Sequence, residues 1–338
     1  MRRVGNLMSQ IAEYDNLQLA FIKAVRGKFN KREVVEFRRN YETNISEMLR
    51  SLEQGDFAVG DYHYFKIKDP KERLICAAPL RERVLHHAIM NVCHDYFDRT
   101  LIDDTYATRR GKGVYAALEK AVAGASRYAH MVKLDYRKYY DSINHDTLKT
   151  LLRRLFKDKG LLSLFDAIID SYSVTPGYGL PIGNLTSQYF ANYYLSRLDH
   201  EIKERLKIPV YIRYMDDILM MDDDRVRLRE AVAFMREYST GRLSLTLKSP
   251  IYRATTGGIP FLGYTVKPHY LTLTGRSKRR FRTKALSAEK KYATGQWNDA
   301  EYQAHLLPLY AFVGHARCRQ LREEILKGVG QRPSVPIV

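Results

Sequence analysis

VYIRYMDDILMM, residues 210–221, places two adjacent carboxylates, Asp216 and Asp217, between two apolar, β-prone segments. Two such segments separated only by a short polar pair predict a β-hairpin with the carboxylates at its tip. Adjacent aspartates repel each other, so a pair inside an apolar hairpin is typical of a site where cations neutralise it. An acidic surface turn is the simpler alternative, because turns favour Asp. A third carboxylate is needed to decide between these two interpretations.

Asp135 is the candidate for that third carboxylate. It follows the apolar segment HMVKL, residues 130–134, which predicts a short buried strand. A carboxylate at the end of a buried strand is costly unless it is paired or bound to a metal. Asp141 and Asp146, further along the chain, are typical of helix starts instead.

Asp135, Asp216 and Asp217 together predict a two-metal site. If the strand and the hairpin are neighbours in one sheet, their carboxylates would hold two Mg²⁺ ions a few ångströms apart, as in nucleotidyl transfer. One ion would lower the pKa of a primer 3′-hydroxyl, and the other would hold the triphosphate and the leaving pyrophosphate. Charge stabilisation and in-line positioning would then supply most of the rate.

The overall charge favours a polyanionic partner. The 338 residues contain 56 Lys and Arg against 38 Asp and Glu, a net charge of +18, of which +8 (13 minus 5) falls in residues 276–338. Nucleic acid fits this excess better than a membrane surface does, and no apolar run reaches the length of a membrane span. The three cysteines, Cys76, Cys93 and Cys318, form no CxxC pair and no disulfide framework, which indicates a reducing, cytoplasmic environment.

Hydrophobic periodicity predicts a helical beginning, a mixed centre and a basic helical end. Helices are predicted over residues 6–25, 31–52, 81–97, 114–123, 188–206 and 226–238 and after 276, and strands over 62–67, 73–78, 130–135, 243–248 and 259–266. The glycine-containing segment 105–113 is a weak anion-binding signal that lacks Walker spacing. His86, His87 and His94 share one predicted helix, but no acidic or cysteine ligand has zinc-site spacing, so packed or solvated histidines are favoured over a metal site.

In chain order, these segments resemble the palm motifs of reverse transcriptases. The motifs are Asp135 followed by Tyr140, the loop before Gln188, YMDD at residues 214–217, Lys248, and FLGY at residues 261–264, with the finger segments 71–75 and 106–113 matching in kind. The resemblance extends from about residue 62 to 315 and implies an α+β, right-hand polymerase fold. Its expected parts are an N-terminal helical extension (1–55), fingers (56–130), a palm (131–268) and a helical basic thumb with a tail (269–338).

The loop IGNLTSQ, residues 182–188, followed by Phe190-Ala191-Asn192, resembles reverse transcriptases of diversity-generating retroelements in particular. Enzymes of that kind copy a template-repeat RNA into cDNA and misincorporate nucleotides opposite template adenines. The resemblance therefore implies a template RNA, a cDNA or primer duplex and dNTPs as ligands. It also implies an accessory variability protein, a small basic helical-bundle oligomer, as partner. The expected setting is the cytoplasm of a bacterium, with a bacterial or phage gene and no membrane partner.

The resemblance assigns roles at the metal site. Asp135 and Asp216 would be metal ligands, Asp217 the second hairpin carboxylate, and the carbonyl of Tyr136 a further group that faces a metal. Lys248 would be the general acid for pyrophosphate. A strand-end lysine that points to solvent is the alternative interpretation of Lys248.

The resemblance also assigns residues to the incoming nucleotide. Arg73 and Arg109 would clamp the triphosphate, because the arginine fork binds phosphate oxygens in pairs, and Lys71 and Lys112 are further candidates. Tyr140 would lie under the sugar and reject a 2′-hydroxyl, which favours DNA synthesis over RNA synthesis. Ordinary core packing is the alternative for Tyr140.

Fidelity is assigned to Ile182, Gln188 and Arg73, which would lie near the nascent base pair and set how loosely the template base is held. Another prokaryotic reverse transcriptase, of the retron or phage-defence type, is the main alternative, with a different RNA and normal fidelity. A catalytically silent RNA-binding scaffold is disfavoured by the three intact carboxylates. The N-terminal helices and the basic thumb are the surfaces expected to meet a partner.

Overall fold

The computed structural model describes residues 3–68 and 72–330 of the chain. The chain forms two compact units, each assembled from three segments. The first unit comprises Met1–Gly111, Tyr136–Lys207 and Val232–Lys248. The second unit comprises Lys112–Asp135, Ile208–Ala231 and Ser249–Val338.

The described residues form fourteen α-helices and nine strands. The helices are α1 (Met8–Ile11), α2 (Tyr14–Ala24), α3 (Arg32–Arg39), α4 (Tyr41–Gln54), α5 (Leu80–Asp98), α6 (Val114–Ala125), α7 (His145–Leu155), α8 (Lys159–Asp170), α9 (Leu185–Tyr194), α10 (Ser196–His200), α11 (Arg225–Leu243), α12 (Gly275–Ala293), α13 (Asp299–Gly314) and α14 (Arg319–Gly330). The strands are β1 (His63–Lys68), β2 (Glu72–Ala77), β3 (His130–Leu134), β4 (Val210–Tyr214), β5 (Asp217–Asp222), β6 (Ile251–Ala254), β7 (Ile259–Phe261), β8 (Tyr264–Lys267) and β9 (Tyr270–Leu273). Short 3₁₀ turns occupy Tyr140–Ser142 and Thr255–Gly257, and a π-helical turn occupies Glu201–Arg205.

Within the described ranges, the strands form three antiparallel sheets. Their strand orders are β1-β2, β4-β5-β3-β6 and β7-β8-β9. Antiparallel sheets combined with helices outside them are the α+β class that the sequence predicts. The predicted hairpins at residues 210–221 and 259–266 are both confirmed as β4-β5 and β7-β8.

The four-stranded sheet is the centre of the second unit. β3 lies between β5 and β6, with Leu134 opposite Ile218 at one end. Helix α6 packs against β4 and β5 through Gly124, where an added Cβ would lie 2.9 Å from Met221 Sδ and 3.0 Å from Val210 Cγ1. The sheet and the helix are therefore so close that a Cβ at position 124 would force a neighbouring side chain to shift.

The basic end of the chain is helical, as predicted. Tyr264 of β8 donates a hydrogen bond of 2.6 Å to the carbonyl of Phe312 in α13, which attaches the helices to the small sheet. Helix α13 begins with a capping box formed by Asn298 and Glu301. In the part of the chain that the structure describes, no helix combines the length and the apolar character needed to cross a membrane.

The core of the first unit lies around α5, which packs against α2 and α9. Aromatic rings fill it: the Phe97 and Phe156 centroids are 5.4 Å apart, and those of Phe165 and Phe190 are 5.1 Å apart. His86 and His94 of α5 are buried, and Nδ1 of His94 lies 2.8 Å from the Tyr189 hydroxyl. These histidines pack within the protein, in agreement with the interpretation favoured from the sequence.

The β1-β2 hairpin of the first unit is largely exposed. Every residue of β1 is exposed, and the apolar side chains of Tyr64, Phe65 and Leu74 are open to solvent. Burial begins only near the base of the hairpin, where Cys76 is fully buried. A two-stranded hairpin is marginally stable alone, so its position depends on contacts at that base.

The strand predicted over residues 243–248 is wrong. Helix α11 continues to Leu243, and the amide of Leu245 then donates to the Ser239 carbonyl over 2.9 Å. The segment then forms one isolated bridge, between Leu247 and Tyr136, instead of a strand. The predicted helices 6–25 and 31–52 are each interrupted, giving α1 with α2 and α3 with α4, and β9 was not predicted.

Replacing Gly124 by Ala is expected to lower the melting temperature, because the methyl group overpacks the contact with Val210 and Met221. Overpacking costs about 1–3 kcal/mol, against a gain in helix propensity of up to about 1 kcal/mol. Gly241→Ala is the matched control, since no atom lies within 4 Å of its added Cβ in α11. Thermal unfolding should rank the Gly241 variant above the Gly124 variant, and equal melting temperatures would contradict the tight contact.

Candidate active site

Three carboxylates meet at one end of the four-stranded sheet. Asp135 directly follows β3, whose last residue lies opposite Ile218, so the same register places Asp135 beside Asp217. Asp216 lies in the two-residue turn between β4 and β5, where Tyr214 pairs with Asp217. The charges of Asp135 and Asp217 both act on Asp216, so the three carboxyl groups lie close together. The prediction that the strand and the hairpin are neighbours is confirmed.

The turn that carries Asp216 is strained. Met215 has φ of +53°, a left-handed conformation that is rare for a side chain of this kind and costs about 1–3 kcal/mol. The guanidinium of Arg213, a fully buried side chain, donates to the Met215 carbonyl over 3.1 Å. Arg213 therefore braces the turn from inside the protein, a role that its position in an apolar run did not predict.

The electrostatics of the cluster show an excess of negative charge. Burial, together with the carboxylates of Asp217 and Asp135, raises the pKa of Asp216 from its ordinary value of 3.8 to about 6. The ammonium of Lys133 lies 3.0 Å from Oδ1 of Asp217 and partly offsets this charge. Lys133 and Asp135 are two residues apart on one strand, so they lie on the same face of the sheet. Lys133 is therefore a member of the cluster that the sequence motifs did not indicate, although its spacing from Asp135 was a signal for it.

The cluster fits a divalent cation in its chemistry. Its donors are carboxylate oxygens, the ligands that Mg²⁺ prefers, and the raised pKa of Asp216 reflects repulsion that a cation would relieve. No group of three His, Cys, Asp or Glu side chains among residues 3–68 and 72–325 is arranged as a ready-made metal site. Mg²⁺ commonly uses one or two carboxylates together with substrate phosphates, so an incomplete protein cage is compatible with it.

Of the other predicted site residues, Lys112 lies in the second unit, Lys71 lies outside the described residues, and the rest lie in the first unit. Arg73 is exposed on β2, Tyr140 is half-buried in a 3₁₀ turn, and Gln188 is exposed in the first turn of α9. Ile182 is half-buried, and its carbonyl accepts a hydrogen bond of 2.8 Å from the amide of Cys76.

Tyr136 and Lys248 lie at a backbone contact within the first unit, where residues 136–137 meet residues 246–247. Tyr136 forms an isolated antiparallel bridge with Leu247, and the amide of Arg137 donates to the Thr246 carbonyl over 2.9 Å. Lys248 follows this bridge directly and is half-buried. The hydroxyl of Tyr136 is buried and lies 2.9 Å from that of Ser239.

Arg109 is held by its own loop. Its Nε donates to Asp98 over 2.7 Å, and its Nη1 donates to the Ile102 carbonyl over 2.7 Å and to Thr105. The side chain is only 10% exposed, whereas that of the neighbouring Arg110 is 76% exposed. The triphosphate role of Arg109 stays a prediction, and a phosphate bound there would have to replace these bonds.

Residues 66–266 match the reverse transcriptase (RNA-dependent DNA polymerase) family, and this match covers more than half of the chain. It includes Asp135, Asp216 and Asp217. The chain belongs to the reverse transcriptase family. Reverse transcriptases generally use divalent metal ions, which agrees with the oxygen-only donors of the carboxylate cluster.

Two curated relatives of this reverse transcriptase are proteins of introns. The chain is 21% identical over 218 residues to the putative COX1/OXI3 intron 1 protein of Saccharomyces cerevisiae, an alignment that covers 60% of this chain and 26% of that protein. It is 25% identical over 172 residues to the uncharacterized 91 kDa protein in cob intron of Schizosaccharomyces pombe, with coverage of 48% and 21%. The aligned region is therefore about a quarter of the length of these relatives.

A solved telomerase from Candida albicans, in complex with a TWJ fragment of telomeric RNA, is similar in structure. The TM-score is 0.51 at 10% sequence identity, over 86% of this chain and 63% of that chain. Likeness at this level of identity concerns the fold alone. The predicted right-hand polymerase fold is confirmed.

Asp216→Asn is expected to stabilise the protein near pH 8 when divalent cations are removed. Folding raises the pKa of Asp216 from 3.8 to about 6. Below pH 3.8 the side chain is uncharged in both the folded and the unfolded state, and as pH rises from 3.8 to about 6 its ionisation increasingly destabilises the folded state. The amide carries no charge, so the gain in unfolding free energy should grow from near zero at about pH 4 to about 1–3 kcal/mol at about pH 8. Thermal unfolding in EDTA across this range measures it.

Asp224→Asn is the control for that measurement. Asp224 is exposed beyond the far end of β5 and accepts the amide of Val226 over 2.7 Å, a contact that Asn also makes. Its pH profile should follow the wild type. If the unfolding free energies of both variants depend on pH in the same way, repulsion within the carboxylate cluster does not measurably destabilise the fold.

Proposed function

We propose that the chain is an RNA-directed DNA polymerase that extends a primer by two-metal nucleotidyl transfer, with Mg²⁺ as the cation. The observation that carries this proposal is the meeting of Asp135, Asp216 and Asp217 at one end of a sheet, in a chain of the reverse transcriptase family. A purely structural role would favour separating such charges, since their repulsion raises the pKa of Asp216 to about 6.

Each carboxylate has a separate task in this mechanism. Asp135 and Asp216 hold the cations, Asp217 is the second hairpin carboxylate, and Lys133 orients Asp217 through its ion pair of 3.0 Å. When bound, the cations lower the pKa of the primer 3′-hydroxyl and neutralise charge on the leaving pyrophosphate. The strain at Met215 supports a functional turn, because backbone outliers of this kind persist where the surrounding structure holds them in place.

The other assigned residues act on the nucleotide and the leaving group. We assign the Tyr136 carbonyl to a metal-facing position and Lys248 to proton donation to pyrophosphate. We assign Arg73, which is exposed on β2, to the triphosphate, whereas Arg109 is already held by Asp98 and its loop carbonyls. Lys71 and Arg109 complete the proposed clamp, and Tyr140 excludes a sugar 2′-hydroxyl.

The domain assignment follows the polymerase fold. We assign residues 1–55 to an N-terminal extension, 56–130 to fingers, 131–268 to the palm and 269–338 to the thumb and tail. Six basic residues lie on the first half of α12, a surface suited to a phosphate backbone. They are Arg276, Lys278, Arg279, Arg280, Arg282 and Lys284.

We further propose that the enzyme serves a diversity-generating retroelement and makes mutagenic cDNA. The loop IGNLTSQ at residues 182–188 supports this reading, with errors directed at template adenines and an accessory variability protein as partner. A retron or phage-defence reverse transcriptase of normal fidelity is the competing proposal. Accurate copying of adenines in a template RNA would favour the competitor.

Asp216→Ala is expected to reduce DNA synthesis by at least about a thousandfold, because a metal ligand acts in the transition state. Extension of a DNA primer on an RNA template with Mg²⁺ and dNTPs measures the loss. Primer–template affinity, measured in parallel without dNTPs, should change by no more than a few-fold. Asp224→Asn serves as the active control, and full synthesis by the Asp216 variant would favour a silent RNA-binding scaffold.

Gln188→Ala is expected to change the misincorporation frequency opposite template adenines while errors opposite the other bases stay the same. Gln188 is exposed in the first turn of α9, so the truncation removes a side chain without altering the helix. Gln188→Pro is the stronger variant, since it also removes a backbone donor. Sequencing of cDNA provides the readout, with Gln18→Ala, at an exposed site in α2, as control. Unchanged errors at adenine in both Gln188 variants would exclude this role.

A further inference from the structure

A buried set of polar side chains in the first unit joins the base of the β1-β2 hairpin to the loop that precedes α9. Tyr62, the residue before β1, accepts a hydrogen bond of 3.1 Å from the side-chain amide of Asn184. The same hydroxyl lies 2.7 Å from that of Ser171, at the end of α8. Tyr62 is 7% exposed and Asn184 is 2% exposed, so water does not compete for these bonds.

The backbones of the hairpin and the loop also touch. The amide of Cys76, on β2, donates to the Ile182 carbonyl over 2.8 Å. Gly183 has φ of +130°, and a Cβ added there would lie 2.7 Å from the Cys76 carbonyl oxygen. Glycine is therefore required at this position both by its conformation and by the close approach of β2.

The loop side of this contact carries several buried polar atoms that make no hydrogen bond among the described residues. They are Oδ1 of Asn184, Oγ1 of Thr186 and Oγ of Ser187. Nearby in α5, Oε2 of the buried Glu82 accepts the amide of Gly60 over 2.9 Å, while its other oxygen lies 3.4 Å from Nε2 of His86. Each unsatisfied buried polar atom costs about 1–3 kcal/mol.

An apolar contact would hold the hairpin base at a lower cost in free energy than these polar side chains do. Replacing both partners of a buried hydrogen bond by apolar groups is often neutral or stabilising, so the polar contact is better explained by the geometry it imposes. Asn184 is also the residue before α9, yet its side chain makes no capping bond to the helix. Its side-chain amide instead donates to the Tyr62 hydroxyl at the base of the hairpin.

We propose that Tyr62 and Asn184 are positioning residues that set the hairpin carrying Arg73 relative to the loop carrying Ile182 and Gln188. This rests on the proposed function, in which Arg73 meets the triphosphate and the loop lies near the template base. Loss of the bond lets the exposed hairpin shift on its base. A misplacement of about 1 Å can cost up to a hundredfold in a polymerisation step, so nucleotide selection depends on this bond.

Tyr62→Phe tests the inference, because it removes only the hydroxyl. Single-nucleotide extension on an RNA template should show KM for the correct dNTP raised by about fivefold or more. Because the hairpin acts in binding, kcat at saturating dNTP should stay within about twofold of the wild type. The ratio of wrong to right incorporation should change in the same assay.

Tyr193→Phe is the matched control. Its hydroxyl is also buried and donates to the Leu151 carbonyl over 3.1 Å, so the variant loses a comparable bond in the same unit but away from the hairpin. Both variants should show similar melting temperatures, and only Tyr62→Phe should change KM and selectivity. Identical kinetics for the two variants would overturn the inference.

A double variant keeps the test independent of stability. If the bond itself acts, Tyr62→Phe, Asn184→Leu and their combination should raise KM to the same extent, because the first change already breaks it. Fully additive effects would overturn the inference. A wild-type protein that extends no primer would remove the proposed function, whereas an active wild type with unaffected Tyr62 and Asn184 variants would remove this inference alone.

Discussion

Mutual repulsion among Asp135, Asp216 and Asp217 is the constraint on which the centre of the second unit depends. Three carboxylates at the end of an apolar sheet destabilise it, and the surrounding residues limit that cost without removing it. Lys133 pairs with Asp217, and buried Arg213 holds the strained carbonyl of Met215. The protein thus maintains a local charge imbalance, and a divalent cation is the simplest species that restores neutrality.

The carboxylate cluster could be predicted because its signals are local. Two apolar segments, the two-residue turn between them and a carboxylate at the end of β3 are each recognised from a few neighbouring residues. A local pattern misled at residues 243–248, where apolar and polar residues alternate. Leu243, Leu245 and Leu247 are buried, as a strand pattern predicts. The segment nevertheless follows directly on α11 and forms one isolated bridge, with Tyr136, instead of a strand. The periodicity correctly indicated which side chains are buried there, but it did not indicate which backbone segment would pair with them.

The partners of charged side chains could not be predicted, because they depend on the tertiary fold. Arg109 lies in a basic glycine-containing loop and Arg213 in an apolar run, yet Arg109 holds its own loop and Arg213 braces a turn. Lys133 lies within an apolar strand, and its ion pair with Asp217 follows only once β3 and β5 are neighbours. The roles of these charged side chains therefore depend on tertiary packing, which sequence motifs do not specify.

The exposed β1-β2 hairpin has a consequence for the isolated protein. Both its edges lack a neighbouring strand among the described residues, and Tyr64, Phe65 and Leu74 present apolar surface to solvent. Open edges with apolar side chains favour pairing between copies, which charges along the edge oppose. Lys68 on β1 and Arg73 on β2 supply such charges, whereas Lys66 is paired with Glu72 over 2.8 Å. Conditions that screen them, high salt above all, are those under which self-association through this hairpin becomes favourable.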